Sequence, residues 1–213
     1  YGPLGILWFD GQWIPEWTSE KGKELEKMIR AIQPQIIVNN RIGKRKPEDG
    51  DYETPEQRIP AAQVQGRLWE TCMTMNNTWG YRRDDERWKS TQDLVRKLVD
   101  IASKGGNFLL NVGPTAEGVI PQASVERLAE IGRWLCVNGE AIYGTTAGPL
   151  GSCSFDGRCT AKGTTVYAHV FSWPQQGDVK IAGLSGEPVS VRALDPRIGW
   201  TKHAVTREND RPV

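Results

Sequence analysis

The stretch that decides the fold is GILWFDG, Gly5 to Gly11, in which an apolar run between two glycines ends on an acidic residue. A short continuous apolar run of this kind is typical of a buried strand. An Asp-Gly pair after a strand is also an ordinary turn signal. Asp10 therefore has two interpretations, a solvated turn residue or a carboxylate at the mouth of a cavity, and other parts of the chain must decide between them.

Buried strands and amphipathic helices alternate through the first 145 residues. Leu25, Met28, Ile29 and Ile32 recur at helical spacing between residues 18 and 33, and further helices are predicted after Ser90 and after Pro121. Four apolar runs predict strands: GILWFDG (5–11), QIIVNN (35–40), GRLWETCMTM (66–75) and NFLLNVGP (107–114). This alternation predicts an α/β fold with a parallel sheet, either open and doubly wound or part of a (β/α) barrel. No strand is followed by a glycine-rich phosphate-binding motif, which argues against a nucleotide-binding open sheet.

The pattern changes near residue 146. GTTVYAHVFSWP (163–174), GDVKIAGL (177–184) and PVSVRALD (188–195) are short, rich in β-branched residues and separated by turn residues. They predict a small antiparallel β-sandwich over residues 146–213, behind a catalytic domain over residues 1–145. A complete barrel needs about 250 residues, so about four strand-helix units amount to a partial (β/α) barrel.

Composition excludes several function classes. The formal net charge is +1 with both signs interspersed, which does not favour nucleic acid, and no apolar run is long enough to cross a membrane. The two histidines, His169 and His203, stand apart from any cluster of cysteines or carboxylates, so neither a metal nor another cofactor is expected. The four cysteines do not form a framework, although Cys153 and Cys159 are close enough in sequence for one local bridge.

Polar residues gather at the predicted carboxyl ends of the strands, where barrel enzymes carry their chemistry. Asp10, Arg41, Glu70 and Asn111 occupy these ends, and the long polar segment 41–60 adds Glu53 and Glu56. Carboxylates beside indoles suit a sugar, and nine tryptophans are present, although indoles also serve as core residues. Retaining glycoside hydrolysis uses two carboxyl groups about 5 Å apart. Asp10 on a strand end fits the nucleophile, and Glu56 on a loop that is free to close fits the general acid and base.

Together these motifs resemble the α-L-fucosidases of glycoside hydrolase family 29, especially those selective for branched α-1,3/4-linked fucose. The resemblance rests on five segments in order: LWFDG (7–11), VNNRIG (38–43), GDYETPEQ (50–57), WETCMTMNNTWGY (69–81) and KGGNFLLNVGPTAEGVIP (104–121). It implies a retaining exo-α-L-fucosidase that acts on fucosylated oligosaccharides and glycoconjugates without a cofactor. It also implies an exported, periplasmic or lysosomal protein.

The resemblance also assigns roles to individual residues. Asp10 matches the nucleophile and Glu56 the acid/base, with Glu70 as a pocket carboxylate and the reserve candidate for the acid/base. The remaining matches are substrate contacts: Arg41 to the fucose hydroxyls, Trp8 as a wall of the pocket, and Trp79 facing the C5 methyl group.

The chain departs from the family pattern in what it lacks. No histidine precedes His169, whereas the family ordinarily supplies a histidine pair to the pocket, and half of the barrel is absent. Three explanations remain open. The chain is a piece of a longer enzyme whose amino-terminal segment completes the barrel, a homo-oligomer whose second copy completes it, or a fucose-binding module without catalysis.

Overall fold

The computed structural model describes residues 2–64, 66–175, 177, 179–185 and 188–195. Its first part is built on parallel strands that follow one another in chain order. They are β1 (Ile6–Leu7), β2 (Ile37–Val38), β3 (Tyr52–Glu53), β4 (Leu68–Thr74) and β5 (Asn107–Asn111). β1 pairs with β2, and β3, β4 and β5 form a second parallel group. A single bridge between Asn39 and Tyr52 connects the two groups, so the strands lie side by side in the order in which the chain makes them.

Three helices connect or follow these strands: α1 (Ser19–Ile32), α2 (Thr91–Ser103) and α3 (Gln122–Asn138). The start predicted at Ser90 is confirmed, since its hydroxyl accepts a hydrogen bond from Asp93 N, and the hydroxyl of Thr18 caps α1 in the same way by accepting one from Lys21 N. α3 begins directly after Pro121, as predicted. None of the helices in the described part of the chain is long and apolar enough to cross a membrane.

The core beside α1 lies on one face of the strands. Ile36, Val38 and Ile42 are buried there. Leu7, Phe9, Leu25 and Ile29 pack against them. At Gly22 a Cβ would meet the carbonyl oxygen of Ile42 at 2.4 Å, so only glycine lets α1 approach the chain this closely. This packing holds the turn that carries Arg41, a short 3-10 helix over Asn40–Ile42, against the end of the sheet.

Some predicted core positions are not covered. Met28 and Ile32 of α1 are exposed, although their helical spacing predicted a buried face, and Val125 and Leu128 of α3 are exposed as well. The periodicity was sufficient to place the helices, but the burial of each face depends on which neighbours are present.

The segment 41–60 is more ordered than predicted. Its polar composition indicated a long loop, yet it contains β3, which the prediction of four strands omitted. A strand of two residues inside a polar segment has too little alternation to be recognised from sequence. Its pairing with β4 comes from tertiary contacts, with Tyr52 opposite Leu68 and Glu53 opposite Trp69.

The second part of the chain is an antiparallel sheet of β6 (Thr146–Ala147), β7 (Gly157–Lys162) and β8 (Thr165–Val170). β8 was predicted, whereas β7 was not. The sheet packs directly on α2, where Arg96 donates to the carbonyl oxygen of Phe171 and the guanidinium of Arg158 pairs with Asp100.

The second layer of the predicted sandwich is missing from the described residues. Residues 179–184 and 188–195, which cover most of the two further predicted strands, contain no strand, and residues 178 and 196–213 lie outside the described part of the chain. Antiparallel pairing begins at Thr146, and the domain boundary between residues 145 and 146 stays a prediction. Cys153 and Cys159 are free thiols with their sulfur atoms 3.5 Å apart, so the local bridge is not formed.

Candidate active site

Arg41 connects the two residues that the sequence placed at the ends of the first two strands. Ile6 and Leu7 pair with Ile37 and Val38, so the parallel register brings Asp10 beside Arg41 just beyond the strands. Nη1 of Arg41 donates a 2.7 Å hydrogen bond to Oδ1 of Asp10. The Arg41 side chain is 3% exposed and that of Asp10 is 52% exposed. The carboxylate of Asp10 is therefore open to solvent on one side and paired with the buried guanidinium of Arg41 on the other.

The same guanidinium holds Glu56. Nη2 of Arg41 donates to Oε2 of Glu56 at 2.9 Å, and the Glu56 side chain is 35% exposed. Because a guanidinium is planar and rigid, one carboxylate on each terminal nitrogen places the two carboxyl groups within a few ångströms of each other. Asp10 and Glu56, 46 positions apart by their numbering, are therefore neighbours at this site.

Arg41 itself is supported from below. Its Nε donates to the hydroxyl of Thr54 at 3.0 Å, and that hydroxyl donates to Oδ1 of Asn40 at 2.7 Å. Nη2 also contacts the sulfur of Cys72 at 3.5 Å. Burial acts to lower the pKa of Arg41, but the hydrogen bond to Asp10, the neighbouring Cys72 and the hydrogen bond to Glu56 together raise the pKa above its ordinary value. Arg41 is therefore a permanent positive charge beneath both carboxylates.

Glu56 does not lie on a free loop. The amide of Cys72 donates to the carbonyl oxygen of Pro55 at 3.3 Å, and the amide of Gln57 donates to the carbonyl oxygen of Cys72 at 2.9 Å. Glu56 is thereby paired with β4 through backbone bonds on both sides. The expectation of a segment free to close over the substrate is wrong for this stretch, because the neighbouring strand holds it.

The alternation of side chains separates Glu56 from Glu53. Successive residues of a strand point to opposite faces. Thr54 and Glu56 both contact Arg41, so Glu53, one residue before Thr54, points to the other face. Glu53 therefore does not compete for the site.

Trp8 joins Glu70 to this group. Nε1 of Trp8 donates to Oε1 of Glu70 at 2.9 Å, and the guanidinium carbon of Arg41 lies 4.6 Å from the centroid of the Trp8 ring. A cation over an indole face is an attractive arrangement. Trp8 is 37% exposed, so it forms a partly open wall between Arg41 and Glu70.

Trp79 lies on the neighbouring side of the strand ends. Its carbonyl oxygen accepts a 2.7 Å hydrogen bond from Nδ2 of Asn111, at the end of β5, and the ring is partly exposed. The next residues pack tightly on β5, since a Cβ at Gly113 would meet the backbone of Gly80 and Tyr81 at 2.8 Å. The structure thus places Trp79 at the predicted edge of the sheet, and within the described part of the chain its side chain makes no hydrogen bond or ring contact with the Arg41 group.

Sequence reasoning missed three residues at this site: Thr54, Cys72 and Tyr52. The first two support Arg41, and Tyr52 precedes Thr54 by two positions and so shares its face. Tyr52 is 6% exposed, and its hydroxyl has no hydrogen-bond partner among the described residues. Burial raises the pKa of this hydroxyl, and the nearby charge of Glu70 raises it further. The sequence carries no clear signal for these three residues, because the strand that positions Tyr52 and Thr54 is only two residues long and Cys72 matters only through its contact with Arg41.

A cavity of about 430 Å³ opens beside Asp10 and Arg41. Its lining is apolar at Phe9, Ile14, Trp17 and Leu25 and charged at Asp10, Glu16, Lys21 and Arg41. This volume falls in the range of small-molecule sites. Among the described residues, no group of histidine, cysteine and carboxylate side chains is arranged to hold a metal ion.

A family model and the curated relatives of this chain point to the same protein family. The family model described as alpha-L-fucosidase matches residues 1–140. Over 206 residues the chain is 34% identical to the tissue alpha-L-fucosidase of Bos taurus, a match that covers 92% of this chain and 44% of that protein.

Solved structures agree with this match. Alpha-L-fucosidase isoenzyme 1 from Paenibacillus thiaminolyticus superposes with a TM-score of 0.74 at 41% identity, covering 80% of this chain and 43% of the other. A GH29 alpha-L-fucosidase from Bacteroides thetaiotaomicron, solved as a trapped covalent intermediate, gives a TM-score of 0.76 at 27% identity and covers 86% of this chain and 46% of the other. The chain spans less than half the length of each of these proteins. The chain belongs to the alpha-L-fucosidase family.

Proposed function

We propose that this chain carries the catalytic residues of a retaining exo-α-L-fucosidase, which hydrolyses terminal α-1,3- or α-1,4-linked fucose from oligosaccharides and glycoconjugates. The observation that carries the proposal is the Arg41 bridge, a single buried guanidinium that binds the carboxylates of Asp10 and Glu56. Retaining glycosidases cleave a glycosidic bond with two neighbouring carboxyl groups, and an indole beside them suits a bound sugar. The linkage preference is supported by the motif pattern of the sequence.

The proposed reaction has two displacements. In the first, an oxygen of Asp10 forms a bond to C1 of fucose while the bond from C1 to the leaving oxygen breaks and Glu56 gives that oxygen its proton. In the second, Glu56 takes a proton from water, the water oxygen attacks C1, and the bond to Asp10 breaks. Two inversions at C1 release fucose with its original configuration. The covalent intermediate trapped in the Bacteroides thetaiotaomicron enzyme supports this route.

Arg41 and Trp8 are proposed to position the reacting groups. Arg41 holds the Asp10 side chain in place through their ion pair and offers the fixed positive charge that interacts with fucose hydroxyls. Trp8 supplies a flat wall beside the sugar. We further propose that the exposed ring of Trp79 faces the C5 methyl group and that Glu70 lines the pocket.

The assignment of the acid to Glu56 has a competitor in Glu70. Glu56 is hydrogen-bonded to the Arg41 cation, and to carry a proton on that oxygen it must give up this bond. Glu70 accepts instead from the neutral indole of Trp8. Glu56 is favoured because it shares Arg41 with Asp10, so both groups meet at one point of the site.

We also propose that residues 1–145 form part of a (β/α) barrel and that residues 146–213 form a β-sandwich domain. Parallel strands in chain order support the first part. On the strand face that carries Trp8 and Glu70, Ile6, Ile37, Leu68 and Leu109 are exposed. An apolar face of this kind is usually covered, by further strands of the same barrel or by a second copy. Light scattering on a size-exclusion peak gives the molar mass of the chain alone and of the protein from the full reading frame of its gene. A dimer of the chain alone supports a second copy, whereas a monomeric full-length protein supports further strands of the same barrel.

The activity is tested by incubating the same two proteins with an α-1,3/4-fucosylated trisaccharide and following the anomeric signals of released fucose by NMR. The expected first product is α-fucose. Release of β-fucose contradicts retention, and equal cleavage of an α-1,2-linked trisaccharide contradicts the linkage preference. Saturable fucose binding in calorimetry without any product would support a binding module instead.

A further inference from the structure

The chain takes an unusual turn directly after Glu56. Gln57 has a φ of 54°, and Arg45 is the other non-glycine residue with positive φ in the described part of the chain. The left-handed region is uncommon for a residue with a long side chain and persists where the surroundings impose it. Specific contacts must therefore stabilise the left-handed backbone of Gln57. Because Gln57 directly follows Glu56, these contacts also bear on the position of the proposed acid.

The side chain of Gln57 supplies that hold. Its Nε2 donates to the hydroxyl of Thr74 at 3.0 Å, and its Oε1 accepts from the amide of Thr74 at 3.3 Å. Thr74 is the last residue of β4 and is buried. The side-chain amide group of Gln57 thus continues the hydrogen bonding to β4 beyond the point where the backbone turns away from the strand. Gln57 is exposed overall, so its contribution is hydrogen bonding rather than packing.

The hydroxyl of Thr74 explains why an amide is needed. This hydroxyl donates its proton to the carbonyl oxygen of Asn76, so it can only accept from Gln57. A glutamine side chain ends in one donor and one acceptor, which matches the hydroxyl oxygen and the backbone amide of Thr74. A glutamate of the same length ends in two acceptors when ionised and cannot satisfy both.

We propose that Gln57 is a positioning residue that, through its two hydrogen bonds to Thr74, fixes the Glu56 carboxyl at the distance from C1 at which it can protonate the leaving oxygen. The inference rests on the proposed fucosidase function. General acid catalysis requires the acid within hydrogen-bond reach of the leaving oxygen, and a displacement of the order of 1 Å is costly. Gln57 clamps one side of Glu56, while the pairing of Pro55 with Cys72 clamps the other.

The test compares leaving groups. A sugar leaving group needs protonation, whereas a dinitrophenyl group leaves without it, so only the first reports on the acid. Gln57→Glu should lower kcat/KM on the fucosylated trisaccharide by about tenfold or more and on dinitrophenyl fucoside by less than about twofold. Thr74→Val should give the same split, and Thr74→Ser should not.

Gln63→Glu is the matched control, because it makes the same chemical change at an exposed position six residues further along. It should leave both substrates unchanged. Equal losses of Gln57→Glu on the two substrates, or no loss on either, would overturn the positioning role.

Hydrogen exchange gives a readout that does not depend on activity. Gln57→Glu should speed exchange of the Gln57 amide, which donates to Cys72, while Gln63→Glu should not. Unchanged exchange overturns the clamp. A wild-type protein that cleaves neither fucoside refutes the proposed function and with it the positioning of an acid, and the exchange result then decides the clamp alone.

Discussion

The indole of Trp8 and the carboxylate of Glu70 are 62 positions apart in the chain and are joined by a 2.9 Å hydrogen bond from Nε1 to Oε1. Trp8 stands just beyond β1 and Glu70 lies within β4, so this bond ties the first strand to the fourth across the site. The same indole lies against the Arg41 guanidinium. One side chain thereby sets the spacing of a cation and a carboxylate.

Replacement of Trp8 by Phe separates these two contacts. The Phe ring keeps a face for Arg41 but has no N–H for Glu70. We expect kcat/KM for an aryl fucoside to fall by about tenfold, the usual value of a hydrogen bond to a charged group at a partly exposed site. Trp13→Phe is the control, since Trp13 is more exposed and no described contact of its indole reaches the site. Equal effects of the two variants would argue against the bond.

Asp10→Ala should lower turnover by on the order of a thousandfold or more, because it removes the attacking oxygen. Azide added to this variant can enter the vacated space beside Arg41 and attack C1 from the side opposite the leaving group. The expected product is β-L-fucosyl azide, identified by NMR. Near-normal hydrolysis by the variant would remove Asp10 from the reaction.

Glu56→Ala should be rescued by azide on an activated aryl fucoside, since the fucosyl-Asp10 intermediate still forms and azide then replaces water. The product should be α-L-fucosyl azide, the opposite configuration to that expected from Asp10→Ala. Glu70→Ala is the comparison, and it should show reduced kcat/KM without rescue. Rescue of Glu70→Ala in place of Glu56→Ala would move the acid/base role to Glu70.

The parts of the site that could be predicted are those at the ends of recognisable strands. Asp10 and Arg41 each follow an apolar run, and parallel strands present their carboxyl ends at one edge, so their meeting follows from the pattern. Glu70 was also predicted at a strand end, which is wrong, since it is the third residue of β4 and reaches the site through the hydrogen bond from Trp8. The chemistry of these side chains was visible because charged residues rarely close buried strands without a partner.

The parts that could not be predicted depend on pairing between segments. β3 is too short to be recognised from the sequence. The backbone hydrogen bonds of Glu56 and its separation from Glu53 became visible only once the pairing with β4 was known. Thr54 and Cys72 carry no catalytic signal of their own and matter through Arg41. In the second part, residues 179–184 have β-branched residues without forming a strand, because strand formation depends on packing neighbours more than on propensity.

A partly buried histidine outside the site makes the stability of the chain depend on pH. The hydroxyl of Thr160 on β7 donates to the carbonyl oxygen of Ala141 at 2.7 Å, so Nε2 of His169 must be the donor in its 3.0 Å contact with that hydroxyl. Burial lowers the pKa of His169 from 6.5 to about 4, against a smaller opposing effect of a hydrogen bond to the Ala141 backbone. The folded protein therefore holds this ring neutral where an unfolded chain would protonate it.

The sign of the effect follows from where the proton binds. Above pH 6.5 neither state protonates His169 and its full contribution to stability is present; between pH 6.5 and about 4 only the unfolded state takes the proton, so stability falls as the pH falls. Since the side chain is not fully buried, we expect a loss of about 2 kcal/mol over this window. His169→Gln keeps a donor for Thr160 and does not titrate, and His203 is present in both proteins. Urea unfolding at a series of pH values should thus give a difference between wild type and variant that changes across the window, and parallel curves would place His169 in contact with water.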